Sequence, residues 1–278
     1  MTILILQGPR LTLEKARQWA APLLKGELHE QPHAIRMTTS QDVPPERLAA
    51  WRNGTDFDIN VLPADFEPAE VRLLISDMDS TLINIECVDE IADFTGLKPQ
   101  VAAITESAMR GEIDFETSLT QRVSLLKGIP AGVLDKVYQQ RLRLNPGAET
   151  LLAGLRARGI KTALVSGGFT VFTERLKTRL RLDYTLANEL EIAGGHLSGK
   201  VKGSIVGAHA KAAFLSRLCE ELNIEARQAI AVGDGANDLE MMRIAGLSVA
   251  YHAKPAVQAQ ADIALNHSGL DAILAFLP

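Results

Sequence analysis

Apolar and polar positions are arranged in two ways along this chain. Over residues 1–66 the runs are short and mixed. Thr2–Gln7 reads as a strand, Leu13–Leu24 has helical apolar spacing, and His33–Thr39 reads as a second strand. Pro44–Asn53 reads as a short helix and Asp56–Leu62 as a third strand, so this segment predicts a compact α+β layer. Pro63–Pro68 reads as a linker. From Val71 the pattern changes. Val71–Ile75 is continuously apolar, as a strand buried on both faces of a parallel sheet must be. Residues 86–143 are rich in helical spacing, broken near Gly96, Gly111 and Gly128. Units then alternate. A helix over Ala148–Arg158 ends at Gly159, and a strand over Lys161–Val165 stops at SGG. A helix over Thr170–Leu180 leads to a strand near Tyr184, and 187–203 predicts a β-hairpin. Helix Ala208–Leu222 leads to strand Ala229–Val232, which stops at GDGAND. Helix Asp238–Ile244, strand Ser248–Ala250, a short helix and strand Ile263–Leu265 complete the pattern. Strands alternating with helices predict a doubly wound α/β sheet.

Composition narrows the classes. The 278 residues suffice for one large domain or two smaller ones, and 46% hydrophobic with 23% charged is ordinary for a globular chain. A net charge of -5 without a basic run disfavours nucleic acid as a partner, because phosphate neutralisation needs clustered Lys and Arg. Two cysteines, Cys87 and Cys219, give no disulfide framework and too few ligands for a structural zinc site. The start MTILILQGPR lacks the cationic leader of a secretory signal, and no apolar stretch approaches the roughly 20 residues of a membrane span. These features read as a cytoplasmic protein with no membrane partner.

Three predicted strands end in polar text: LLIS-DMDST, ALVS-GGF and IAV-GDGAND. In open α/β sheets ligands bind beyond the carboxyl ends of the strands. A parallel sheet would therefore gather Asp77, Asp79, Ser166, Gly167, Asp234 and Asp238 in one crevice. Clustered carboxylates repel one another and resist desolvation, and a hard cation such as Mg²⁺ relieves both. Asp77 and Asp234 are the natural ligands. If the backbone stays extended, Asp79 shares a side with Asp77 and can reach the same substrate. One carboxylate can attack as a nucleophile while a neighbour moves protons. The Ser166 hydroxyl and the Gly167 N–H suit phosphate oxygens. Lys211, after a GAHA stretch read as flexible, could neutralise charge on the transferring group and on Asp77, and Asn237 could donate to phosphate or orient a ligand. Each piece alone has a plainer reading. An Asp-x-Asp pair is usually a turn, SGG a loop and a lone helical lysine a solvated side chain. Their order, each at or near a strand end, is what argues for a site.

The motifs DMDST, SGG, a lone lysine and GDGAND resemble those of the haloacid dehalogenase superfamily. DMDSTLINIECVDEIA, AMRGEIDFETSLTQRV, LNPGAETLL through VSGGF, and KVKGSIVGAHAKAAFL through VGDGANDLEM are similar, more specifically, to its phosphoserine phosphatase family, over roughly 71–278. The resemblance implies a Rossmann-like hydrolase core over 71–84 and 148–278, with a helical cap inserted over 85–147. It likens 1–66 to a short ACT-like module. It further implies hydrolysis of O-phospho-L-serine to L-serine and phosphate with Mg²⁺, the last step of L-serine biosynthesis. On this resemblance Asp77 is the nucleophile and Asp79 the general acid and base. Mg²⁺ is held by Asp77, the Asp79 backbone carbonyl and Asp234, with Asp238 supporting the metal's waters. Ser166, Gly167 and Lys211 bind the phosphoryl group with Asn237 close by. Glu86 attracts the substrate ammonium, Arg122 takes the carboxylate, and Met109 and Phe115 pack around the small side chain.

Three other readings stand beside this one. A phosphotransferase or phosphatase on the same scaffold could act on another small phosphorylated amino acid or metabolite, and acceptor dependence of phosphate release would separate them. A non-catalytic binding protein would be expected to lack an aspartate at 77, 79 or 234, and all three are present. A dinucleotide module needs G-x-G-x-x-G after a strand, and no strand end supplies it.

Overall fold

The computed structural model describes residues 2–278. Its first unit is a four-stranded antiparallel sheet built from β1 (Thr2–Gln7), β2 (Gly26–Gln31), β3 (Ala34–Thr39) and β4 (Asp58–Val61), in the order β2-β3-β1-β4. Helices α1 (Leu13–Ala20) and α2 (Pro45–Asn53) accompany it. Leu4, Leu6, Ile35, Met37 and Ile59 form its core, with Trp19 and Trp51 packed against them. Strand β2 was not expected from the sequence: every residue in it but Leu28 is exposed, so it carries no apolar alternation. Helix α1 also ends at Ala20 instead of Leu24.

The second sheet has seven strands. They are β5 (Leu73–Ser76), β6 (Lys161–Phe169), β7 (Tyr184–Ala193), β8 (His196–Lys202), β9 (Ala229–Gly233), β10 (Leu247–Tyr251) and β11 (Ile263–Leu265). Their order is β11-β10-β9-β5-β6-β7-β8, with every pairing parallel except β7 with β8. Alternate residues of each strand feed opposite faces, as a period of two requires. Leu74, Leu164 and Val232 join one core with α7 (Ala148–Ala157), α8 (Thr170–Leu180) and the final 3₁₀ segment Leu270–Phe276. Leu73, Ile75, Val165 and Ala231 join another with α9 (Ala208–Leu222) and α10 (Leu239–Ile244). This is the doubly wound fold.

Two boundaries differ from expectation. Strand β6 continues through SGG to Phe169, with its register against β7 shifting between Val165 and Phe169. The strand near Tyr184 and the first hairpin strand are one element, β7, parallel to β6 at its start and antiparallel to β8 further on. Between β5 and α7 lie α3 (Cys87–Asp93), α4 (Lys98–Met109), α5 (Phe115–Leu125) and α6 (Gly132–Lys136). The short α11 (Pro255–Gln258) precedes β11.

The two sheets meet edge to edge. Asn60 of β4, fully buried, imitates a backbone: its Nδ2 donates to Ala264 O at 3.0 Å and its Oδ1 accepts from Ala264 N at 2.9 Å. The Asp58 carboxylate accepts from the amides of Asn266, His267 and Ser268. The outer edge of β11 is thereby covered. Strand β5 lies between β9 and β6, where the winding reverses. That switch point is where the crevice of such a sheet opens, and Asp77 follows β5 directly.

Candidate active site

Strand β5 delivers Asp77 in extended conformation, buried, with its N–H donating to Val232 O at 2.9 Å. The chain then turns sharply. Residues Met78–Leu82 form a single wide turn closed by Ile83 N to Met78 O at 3.0 Å, with Ser80 at φ 58. The extended geometry assumed for Asp79 is therefore interrupted after Asp77. Asp79 nevertheless enters the same cleft: its Oδ2 accepts from Cys87 N at 3.2 Å and lies 3.0 Å from where a Cβ on Gly168 would stand.

Lys211 sits in the first turn of α9, which starts at Ala208, so GAHA is not a flexible stretch. Its side chain is wholly buried. Nζ donates to Asp77 Oδ1 at 2.5 Å and to Asp238 Oδ1 at 2.8 Å. Asp238, also wholly buried, uses Oδ2 to accept from Gly235 N at 3.0 Å. Burial works against the Lys211 charge, and Asp238 and Asp77 more than offset it, so its pKa lies above the ordinary lysine value. Burial pushes the Asp77 carboxyl up, with Asp238 and Asp234 adding to the effect against Lys211. Asp234 is pushed up to about 6 by burial and then by Asp238 and Glu86, while Thr81 Oγ1 donates to its Oδ1 at 3.0 Å. Asp79 is pushed up to about 8 by burial first and by Glu86 second.

Oxygens of Asp77, Asp234 and Asp238 all lie within 4.8 Å of one another. When all three carboxylates are ionised, the one lysine leaves two negative charges uncompensated. An all-oxygen donor set with that charge fits a hard divalent cation. Asp238 is as close as the other two, but its oxygens are already engaged by Lys211 and Gly235.

Near the end of β6, Ser166 Oγ accepts from Gly168 N at 2.8 Å, which leaves its hydroxyl proton available to a ligand. Gly167 is overlaid by Phe115, since a Cβ there would stand 2.6 Å from the phenyl Cζ. Asn188 fixes this turn, donating to Gly167 O at 2.8 Å and accepting from Val206 N at 2.8 Å.

From the intervening helices, Arg122 is buried. Its Nε donates to Ser118 O at 3.4 Å, and it forms no ion pair among the described residues. Burial lowers its pKa, opposed by Asp89, Glu86 and Asp79 in turn. Glu86 stands at the exposed rim, its Oε1 accepting from Ser80 Oγ at 2.7 Å. Protein packed around its otherwise exposed side chain raises its pKa, with Asp89 adding to the effect against the Ser80 hydrogen bond.

The structure places the sequence-derived residues differently. Asp77, Asp234, Asp238 and Lys211 are brought together, and Ser166, Gly167, Asp79 and Phe115 line the adjoining space. Glu86 and Arg122 face it electrostatically. Met109 stands apart, 63% exposed, its sulfur contacted by Lys254 Nζ at 3.5 Å. The Asn237 amide lies over Gly235, its Oδ1 2.3 Å from where a Cβ there would be. Sequence reasoning gave no role to Ser80, Thr81 or Asn188. The hydroxyl pair directly after Asp79 and a lone Asn inside an apolar strand were the available signals.

The family model for haloacid dehalogenase-like hydrolases matches residues 71–246. A phosphoserine phosphatase of Polaromonas is 54% identical over 221 residues, 78% of this chain and 94% of that protein. A haloacid dehalogenase family hydrolase from Salmonella enterica serovar Typhi superposes with a TM-score of 0.88 at 34% identity, covering 100% of this chain and 98% of its own. A probable phosphoserine phosphatase from Vibrio cholerae, unliganded, gives 0.84 at 38% identity, covering 99% and 86%. This chain belongs to the phosphoserine phosphatase family of the haloacid dehalogenase-like hydrolases.

Proposed function

We propose that the chain hydrolyses O-phospho-L-serine to L-serine and phosphate, with Mg²⁺ as its cation, in the cytoplasm. One observation carries the reading. Beside a carboxylate cluster tied by a buried lysine stand Asp79 and Glu86, and their charges act on Arg122, a buried cation with no ion-pair partner among the described residues. A buried unpaired guanidinium is costly unless an anion completes it, and its planar fork suits a carboxylate. Glu86, at the rim of the same cleft, suits an ammonium. A phosphate ester that carries both groups answers all three demands.

An Asp77 oxygen attacks phosphorus, and the bond from phosphorus to the serine oxygen breaks. The proton on Asp79, retained below about pH 8, passes to that oxygen. Water then gives a proton to Asp79 and attacks the aspartyl-phosphate, releasing phosphate and restoring Asp77. Ser166, the Gly167 N–H, Lys211 and Asn237 hold the phosphoryl oxygens. Asp77, the Asp79 backbone carbonyl and Asp234 would hold Mg²⁺, with Asp238 steadying its surroundings. The cation supplies charge neutralisation for the phosphoryl group. Residues 85–147 act as a cap that holds Phe115 over the substrate side chain, against Gly167, and excludes water; Met109, which stands apart in this structure, would reach the substrate only if the cap moved. Residues 71–84 and 148–278 form the catalytic core, and 1–66 are a separate ACT-like module.

A panel of phosphoserine, phosphothreonine, phosphoethanolamine and a sugar phosphate, each with Mg²⁺ and with EDTA, tests this. Phosphoserine should have the highest kcat/KM, and EDTA should abolish turnover. Preference for the sugar phosphate, or full activity in EDTA, would overturn it.

A further inference from the structure

The turn after the catalytic pair is held from behind by one residue. Asn145 lies on the segment where the chain returns from α6 toward α7. Its Nδ2 donates to Ser80 O at 3.3 Å, Thr81 O at 2.8 Å and Ile83 O at 3.1 Å. Its own N–H donates to Leu82 O at 3.0 Å. Four consecutive carbonyls, Ser80 to Ile83, thus converge on Asn145.

The turn's own bonds, Ile83 N to Met78 O and Ser80 N to Ile85 O, leave the carbonyls of 80–83 to Asn145. Ser80 is left-handed at φ 58, which a residue with a Cβ keeps only where its surroundings hold it. The side chains it carries both point to work elsewhere. Thr81, wholly buried, donates to Asp234, and Ser80 donates to Glu86. We propose that Asn145 is a positioning residue: by clamping this turn it sets Asp234 through Thr81 and Glu86 through Ser80. It touches no reacting group itself. The inference rests on the reading that Asp234 holds the cation and Glu86 the substrate ammonium.

The same crossing offers a control. Asn84 Oδ1 accepts from Arg143 N at 2.8 Å, joining the two chain passages without touching the carbonyls of 80–83. Three kinds of variant separate positioning from plain stability. Asn145→Ala removes the donors, and Asn145→Asp keeps the shape but offers carbonyls no donor. Asn84→Ala loosens only the crossing. Both Asn145 variants should raise KM for phosphoserine and the Mg²⁺ concentration for half-maximal activity by roughly 10-fold or more, as loss of a partner behind a metal ligand does. The rise in Tm on adding Mg²⁺ alone should shrink in both, a readout that needs no turnover. Asn84→Ala should match wild type in all three. Asn145→Ser, which keeps one donor, serves if the other two do not fold, and it should fall between them and wild type. Wild-type values in any folded Asn145 variant would overturn the proposal. So would an Asn84→Ala that reproduces the shifts, because the effect would then be general loosening. Wild-type protein assayed in parallel separates the two levels. If wild type fails on phosphoserine, the function is wrong; if only the variants look normal, Asn145 alone is.

Discussion

Lys211 Nζ lies 2.5 Å from Asp77 Oδ1, with the lysine side chain entirely out of solvent. The same ammonium holds Asp238, so one positive charge restrains two buried carboxylates. Removing one partner of such a set leaves the others charged and unpaired. Lys211→Met should therefore cost about 3–5 kcal/mol in urea unfolding as well as abolish turnover. A Lys211→Met protein as stable as wild type would show that the lysine is not a structural counter-ion.

Gly167 and Phe115 are fitted against each other. A Cβ at 167 would stand 2.6 Å from the phenyl ring, so Gly167→Ala must displace either the ring or the loop. Displacement of that order can cost on the order of 100-fold in rate. In a Phe115→Ala background the same substitution should cost much less. Steady-state kinetics on the four proteins gives the coupling, and additive effects would contradict the contact.

What the sequence reveals of this site divides along physical lines. Strand ends are legible because strands buried on both faces read as apolar runs, and the residues that stop them are Asp, Ser and Gly. The placement of Asp77 and Asp234 at one sheet edge follows from that. The sharp turn at 78–82 is not legible, because Met, Asp, Ser, Thr and Leu have no common signal for it and the donors to its outer carbonyls come from residue 145, far along the chain. Strand β2 is hidden by its exposure on both faces. The parallel and antiparallel halves of β7 cannot be told apart from the sequence of one strand. The burial of Lys211 is likewise tertiary, since the alanine- and leucine-rich helix around it would suit a solvated lysine equally well.

Arg122 predicts a split between function and stability. It is buried with no ion pair among the described residues, so the folded protein bears its desolvation cost in the absence of substrate. Arg122→Met should leave Tm unchanged or raise it. It should also raise KM for phosphoserine far more than for phosphoethanolamine, which lacks the carboxylate. Equal KM changes for both esters would remove Arg122 from carboxylate recognition.

Asp183 predicts a pH dependence away from the cleft. Burial works against its charge, but bonds from Lys161 at 2.7 Å and Thr162 N at 2.9 Å more than offset it and hold the carboxyl below its ordinary value. A carboxyl lowered by folding adds stability that is complete above the unfolded value near pH 4 and is lost as pH falls through the folded one. Asp183→Asn should therefore be less stable at pH 7, by less than about 1 kcal/mol because solvent screens the pair. The gap should close at acid pH. A gap that widens on acidification would reverse the sign of the coupling.

The central claim is that Asp77 attacks the phosphorus of O-phospho-L-serine. The direct measurement is kcat/KM for phosphate release by Asp77→Asn beside wild type, at saturating Mg²⁺, with thermal unfolding of both as the check on folding. A folded variant should lose on the order of 10⁴-fold or more in rate, as removal of a nucleophile does. A folded Asp77→Asn that releases phosphate from phosphoserine at the wild-type rate would contradict the account.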